Sequence, residues 1–89
     1  MLQHQGDYKT AEELYRRALE GREKVLGKEH PSTLTSVWCL ADLTERLGRT
    51  AEAILLYERA IKGFGAALGS KHSNTAKCEQ SLRRLKRGD

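Results

Sequence analysis

The sequence predicts an all-α fold, an antiparallel array of about four helices, on three observations. Apolar residues recur at three- and four-residue spacing in four separate stretches, the period of an amphipathic helix. The 89 residues hold a single proline, so little interrupts those stretches. The chain also repeats itself at a constant offset: Gly6, Ala11, Leu14-Tyr15, Arg17-Ala18, Gly21 and Leu26-Gly27 return as Gly48, Ala53, Leu56-Tyr57, Arg59-Ala60, Gly63 and Leu68-Gly69. The register continues through His30/His72, Thr33/Thr75, Leu40/Leu82 and Leu43/Leu85. A fixed offset held this long marks a repeat architecture.

The first helix is expected over residues 7–26. Met1 to Gln5 reads as the tail of an earlier helix broken at Gly6, with Asp7 offering a capping oxygen to the next. Tyr8, Ala11, Leu14, Tyr15, Ala18, Leu19, the stem of Arg22, Val25 and Leu26 make its apolar stripe. The opposite face carries Glu12/Arg16, Glu13/Arg17 and Glu20/Lys24, each an acid four positions before a base, contributing about 0.2–0.5 kcal/mol apiece. Gly27 suits a left-handed cap.

A second helix is expected over 31–47. Pro31 fits its first turn, where a missing N–H costs nothing. Leu34, Val37, Leu40, Ala41, Leu43, Thr44 and Leu47 give it a broad buried face, and Gly48 closes it. The third, over 49–68, buries Ala53, Ile54, Leu56, Tyr57, Ala60, Ile61, Phe64 and Leu68. Gly63 and Gly65 each cost about 1 kcal/mol in a helix interior, which predicts soft final turns. The fourth, over 73–87, keeps only Ala76, Cys78, Leu82 and Leu85 as an apolar line. A last helix with a wet outer face is what ends a stack of repeats.

Composition narrows the function classes. Charged residues make up 31% and apolar ones 38%, which excludes wholesale disorder. No apolar run approaches the roughly 18–20 residues of a membrane span, and the N-terminus lacks the pattern of a signal peptide. A cytoplasmic, intracellular setting is the expectation, with Cys39 and Cys78 as reduced thiols. The formal charge of +4 sits entirely in residues 70–89. Cations at a helix C-terminus are favoured by the macrodipole, so Arg83-Arg84-Leu85-Lys86-Arg87 reads first as a solvated cap. Arg87-Gly88-Asp89 spells an adhesion tripeptide, but at a terminus and without an extracellular context. His30 and His72 occupy one repeat position and read as turn residues rather than metal ligands. No nucleophile–base set, paired carboxylates or phosphate loop stands out. No catalytic residue, cofactor or metal site is expected.

Helix, tight turn at glycine, helix, with small residues at close crossings, resembles the tetratricopeptide repeat. Leu40-Ala41 and Leu47-Gly48 match the first helix of such a repeat, and Ala53, Tyr57 and Ala60 the second. The long period, which carries Gly6 to Gly48, and the Leu26-Gly27-Lys28-Glu29-His30-Pro31 linker resemble the lengthened kinesin-light-chain type. That type is also found in repeat arrays of NTPase signalling proteins. Where its pattern has two asparagines before the Leu-Ala pair, this chain has Trp38 and Cys39. The asparagine hold on a peptide backbone therefore does not carry over. The resemblance implies one domain over 1–89: a half repeat over 1–27, a full repeat over 31–69, and a half repeat or capping helix over 73–89.

It also implies a non-enzymatic module that binds a protein or peptide on a concave face lined by the first helix of each pair. On that face fall Thr35, Trp38, Asp42 and Glu45 from one helix, and Lys77, Gln80, Arg84 and Arg87 from the next. The basic stripe beside a lone indole favours a partner with acidic residues near an apolar anchor. A helix of a repeat without its mate leaves Ala11, Leu14, Tyr15 and Ala18 uncovered, which predicts self-association, most simply as a homodimer. The alternatives are nucleic-acid binding through the last helix, and a spacer within a longer array. No membrane contact is expected.

Overall fold

A computed structural model describes residues 5–69 and 71–87. Four helices account for nearly all of them: α1 Gln5–Leu26, α2 Pro31–Arg46, α3 Thr50–Leu68 and α4 Ser73–Lys86. No strand occurs among the described residues. Each boundary lies close to its expected place. The exception in kind is the start of α1. Gly6 does not break the chain but sits in the first turn, so Asp7 is helical rather than a cap. The earlier helix expected over Met1–Gln5 falls, apart from Gln5, outside the described residues.

The joints are alike because the sequence repeats there. Gly27, Gly48 and Gly69 all take positive φ, at 93°, 84° and 103°, which an L side chain adopts only under strain. His30 and His72 then cap the helices that follow. His30 Nδ1 accepts a hydrogen bond from the Ser32 backbone N–H at 3.1 Å, and His72 Nδ1 accepts from that of Asn74 at 3.1 Å. Pro31 occupies the first turn of α2. The two histidines are thus structural, as their shared repeat position predicts.

The core lies around α2 and α3. Leu34, Val37, Leu40 and Ala41 of α2 meet Ala53, Tyr57, Ala60 and Phe64 of α3, with Cys78 and Leu85 closing from α4. Leu19 is the only hydrophobic side chain of α1 in this cluster among the described residues. The two glycines of α3 differ: the helix runs to Leu68, with Gly63 buried and Gly65 in open space. The missing side chain at Gly63 makes room for Leu34, whose Cγ stands 3.1 Å from where a Gly63 Cβ would be. The glycine thus serves the crossing of α2 and α3.

Glu12 is a second departure. Its expected place is the wet face of α1 beside Arg16, and that pair forms at 2.8 Å, yet Glu12 is only 6% exposed. Arg49, at the entry to α3, reaches the same carboxylate. Arg16 also pairs with Glu52, and Arg59 with Glu23 at 2.6 Å. A row of ion pairs therefore ties α1 to α3 and its entry.

Candidate partner-binding site

Helices α2 and α4 are repeat equivalents, so they present the same register of side chains side by side. Between them lies a groove of about 540 Å³. Thr35, Trp38, Cys39 and Asp42 form one wall, Lys77, Gln80 and Ser81 the other, and Tyr57 of α3 contributes from between them. Of the residues expected on the concave face, Thr35, Trp38, Asp42, Lys77 and Gln80 are thus brought together. Cys39, Ser81 and Tyr57 join them without having been expected there. Cys39 and Ser81 are themselves repeat equivalents, a signal that could have placed them opposite each other.

Trp38 is half-buried. Its ring meets Phe64 edge-on, with centroids 6.1 Å apart and planes at 82°, a geometry contributing about 0.5–1.5 kcal/mol beyond burial. The indole is held by the core on one side and borders the groove on the other. Packing residue and groove residue both describe it.

Glu45 and Arg84 behave differently from the rest of their stripes. They pair with each other across α2 and α4, and Glu45 Oε1 also accepts from the Tyr57 hydroxyl at 3.2 Å. The hydrogen bond to Glu45 raises the Arg84 pKa further above its usual value, and burial pushes the Tyr57 phenol up. This clasp joins three helices and leaves Lys77 as the cation lining the groove. Asp42 pairs with Arg46 at 3.1 Å. Arg87 is the C-cap residue of α4 and is not among the residues lining the groove.

The residues expected to self-associate sit together on α1. Leu14 is 56% exposed and Tyr15 40% exposed, Ala18 is exposed and Ala11 half-buried. Val25, 81% exposed, and Leu26 extend the same apolar surface. The sequence puts these two in the apolar stripe of the helix but not in the uncovered patch. Arg22, whose stem belongs to that stripe, donates to Ser36 Oγ at 2.7 Å.

Among the described residues no group of three histidine, cysteine, aspartate or glutamate side chains could hold a metal ion. No helix among the described residues is long and apolar enough to cross a membrane. Four antiparallel helices with glycine joints and a groove between alternate helices define the architecture, and a family model for the tetratricopeptide repeat matches residues 1–66. The chain belongs to the tetratricopeptide repeat family. Repeats of this family generally act as scaffolds for protein–protein interaction. No curated protein matches the chain. The match ends within α3, yet α4 keeps the register of the repeat through His72, Thr75, Leu82 and Leu85.

Proposed function

We propose that this tetratricopeptide segment is a non-enzymatic binding module whose α2–α4 groove takes a peptide, extended or helical, with acidic residues beside an apolar anchor. The observation carrying it is the groove itself, with the Trp38 ring on one wall and Lys77 on the other. An apolar side chain against the indole and a carboxylate at Lys77 satisfy both, and partly exposed tryptophans are frequent binding anchors. The length of the repeat supports placing the segment with the lengthened kinesin-light-chain type, and two unpaired thiols support an intracellular setting.

Nucleic-acid binding through α4 is less well supported. Arg84 is engaged by Glu45, and Lys86 lies 3.4 Å from Glu58, so part of the local charge is already met. A panel of fluorescently labelled acidic and neutral peptides, read by anisotropy, tests the proposal. Binding should weaken in Lys77→Glu and depend on salt. A peptide that binds equally well to Lys77→Glu and Trp38→Ala sits elsewhere and ends this reading.

A further inference from the structure

Two charged side chains line the groove, one on each wall: Asp42 on α2 and Lys77 on α4. They do not stand level. Lys77 is the repeat equivalent of Thr35, and α2 and α4 run the same way, so Lys77 lies opposite Thr35. Asp42 is two turns further along α2, about 10 Å at the helical rise. Trp38 comes between the two levels. Both walls belong to the chain itself, so this offset of opposite charges is a property of the groove.

The other charges at the Asp42 end are engaged elsewhere. Arg84 and Glu45 pair with each other, and neither lines the groove. Arg46 meets Asp42 Oδ2 at 3.1 Å, but it stands on the α1 side of α2, where it lines a hollow with Tyr8, Ala11 and Tyr15. That pair is exposed at both ends and spans a single helical turn, so it is a weak one. A carboxylate accepts several donors at once, and Asp42 itself lines the groove.

From this offset we infer that the groove reads a second charge on its ligand, a cation, and that Asp42 is the residue selecting it. The inference rests on the peptide reading above and deepens it. The ligand keeps its acid to the Lys77 end, sets an apolar side chain against Trp38, and brings a lysine or arginine to Asp42. Acid and base then stand about 10 Å apart, a span covered by a few residues of an extended peptide or by two turns of a helix. A ligand acidic throughout would set a carboxylate against Asp42, with Arg84 already held by Glu45. Complementary charges at two levels fix the register of the ligand, which one cation cannot do.

The test uses the intact 89-residue chain and fluorescein-labelled peptides read by anisotropy. Each peptide carries glutamate, then leucine, then a variable residue, at the spacings that span about 10 Å in an extended chain and in a helix. The variable residue is lysine, glutamine or glutamate. Affinity should fall in that order, by about two- to fivefold per step at low salt. Asp42→Asn should remove the advantage of lysine, and Asp42→Lys should reverse it in favour of glutamate, a reversal that misfolding cannot produce. Arg46→Gln, which takes away the competing cation, should widen the advantage. Lys77→Glu should weaken all three peptides. Peptides that depend on Lys77 but ignore the variable residue, or keep their order in Asp42→Lys, overturn this inference and leave the groove reading intact. A glutamate peptide that binds best also overturns it, and makes Arg84, released from Glu45, the reader. Binding by none of the peptides, or binding indifferent to Lys77→Glu, ends the reading of the groove and this inference with it.

Discussion

Leu34 of α2 occupies the space that a side chain on Gly63 of α3 would need. Its Cγ stands 3.1 Å from the position of a Gly63 Cβ, and its δ-carbons are closer still. Leu34 is itself 1% exposed, so it has no open side into which to swing. Gly63→Ala gains about 1 kcal/mol of helix propensity but overpacks the crossing at a cost of about 1–3 kcal/mol. The expected outcome is a lower melting temperature. Gly21→Ala, at the repeat-equivalent open site, should instead gain up to about 1 kcal/mol. Thermal unfolding of the two variants checks the pair, and a Gly63→Ala protein melting above its parent would refute the packing account.

The histidine caps predict a graded series. His30→Asn keeps a side-chain acceptor for the Ser32 N–H and should melt close to the parent. His30→Ala leaves that donor without its cap and should cost about 0.5–2 kcal/mol. Equal losses in both variants would show that the His30 imidazole acts by something other than capping.

How much is legible in the sequence follows from what each feature depends on. The joints at Gly27, Gly48 and Gly69, the turn positions of His30 and His72, though not their capping, and the stripes of α2 and α3 are local. Their residue types and spacing state them directly. Gly63 reads as a weakness because propensity counts one helix at a time, whereas its role is set by Leu34, in the neighbouring helix. Glu12 reads as solvated because its partner Arg16, one turn on, is visible in sequence, while Arg49 is not. The groove is legible as two stripes. That Glu45 and Arg84 meet each other depends on how closely α2 and α4 approach, which no periodicity states.

The two thiols should differ sharply. Cys39 is exposed and Cys78 fully buried, and burial, with a smaller contribution from Glu79, pushes the Cys78 thiol up from 9.0 to about 12. A thiol reagent at neutral pH should label Cys39 in the native chain and Cys78 only after unfolding. The same shift sets a stability window. Above 9.0 the unfolded chain releases the Cys78 proton while the folded chain keeps it, so stability falls as pH rises from 9.0 toward 12. Cys78→Ala should flatten that part of the alkaline profile, whatever its cost in packing. An unchanged slope would assign the alkaline loss to other groups.

Arg84→Glu sets a carboxylate against Glu45 at the clasp joining α2, α3 and α4. The Arg84 side chain is 47% exposed, so screening keeps the loss modest, below about 1 kcal/mol at physiological salt. The loss should shrink as ionic strength rises. Melting curves at low and high salt check this, and a salt-independent loss would point to packing rather than charge.

The joints at Gly27, Gly48 and Gly69 are evenly spaced along the chain, at half the repeat length. Excising residues 28–69 would splice Gly27 onto Ser70 and join α1 to α4 through a linker of the original length. Duplicating the same span would insert two helices with every connection preserved. Recombination between misaligned copies can therefore trim or extend such a chain without inventing a new turn. Because each unit adds its own small rotation, the number of units, more than any single residue, sets how far the binding surface curves.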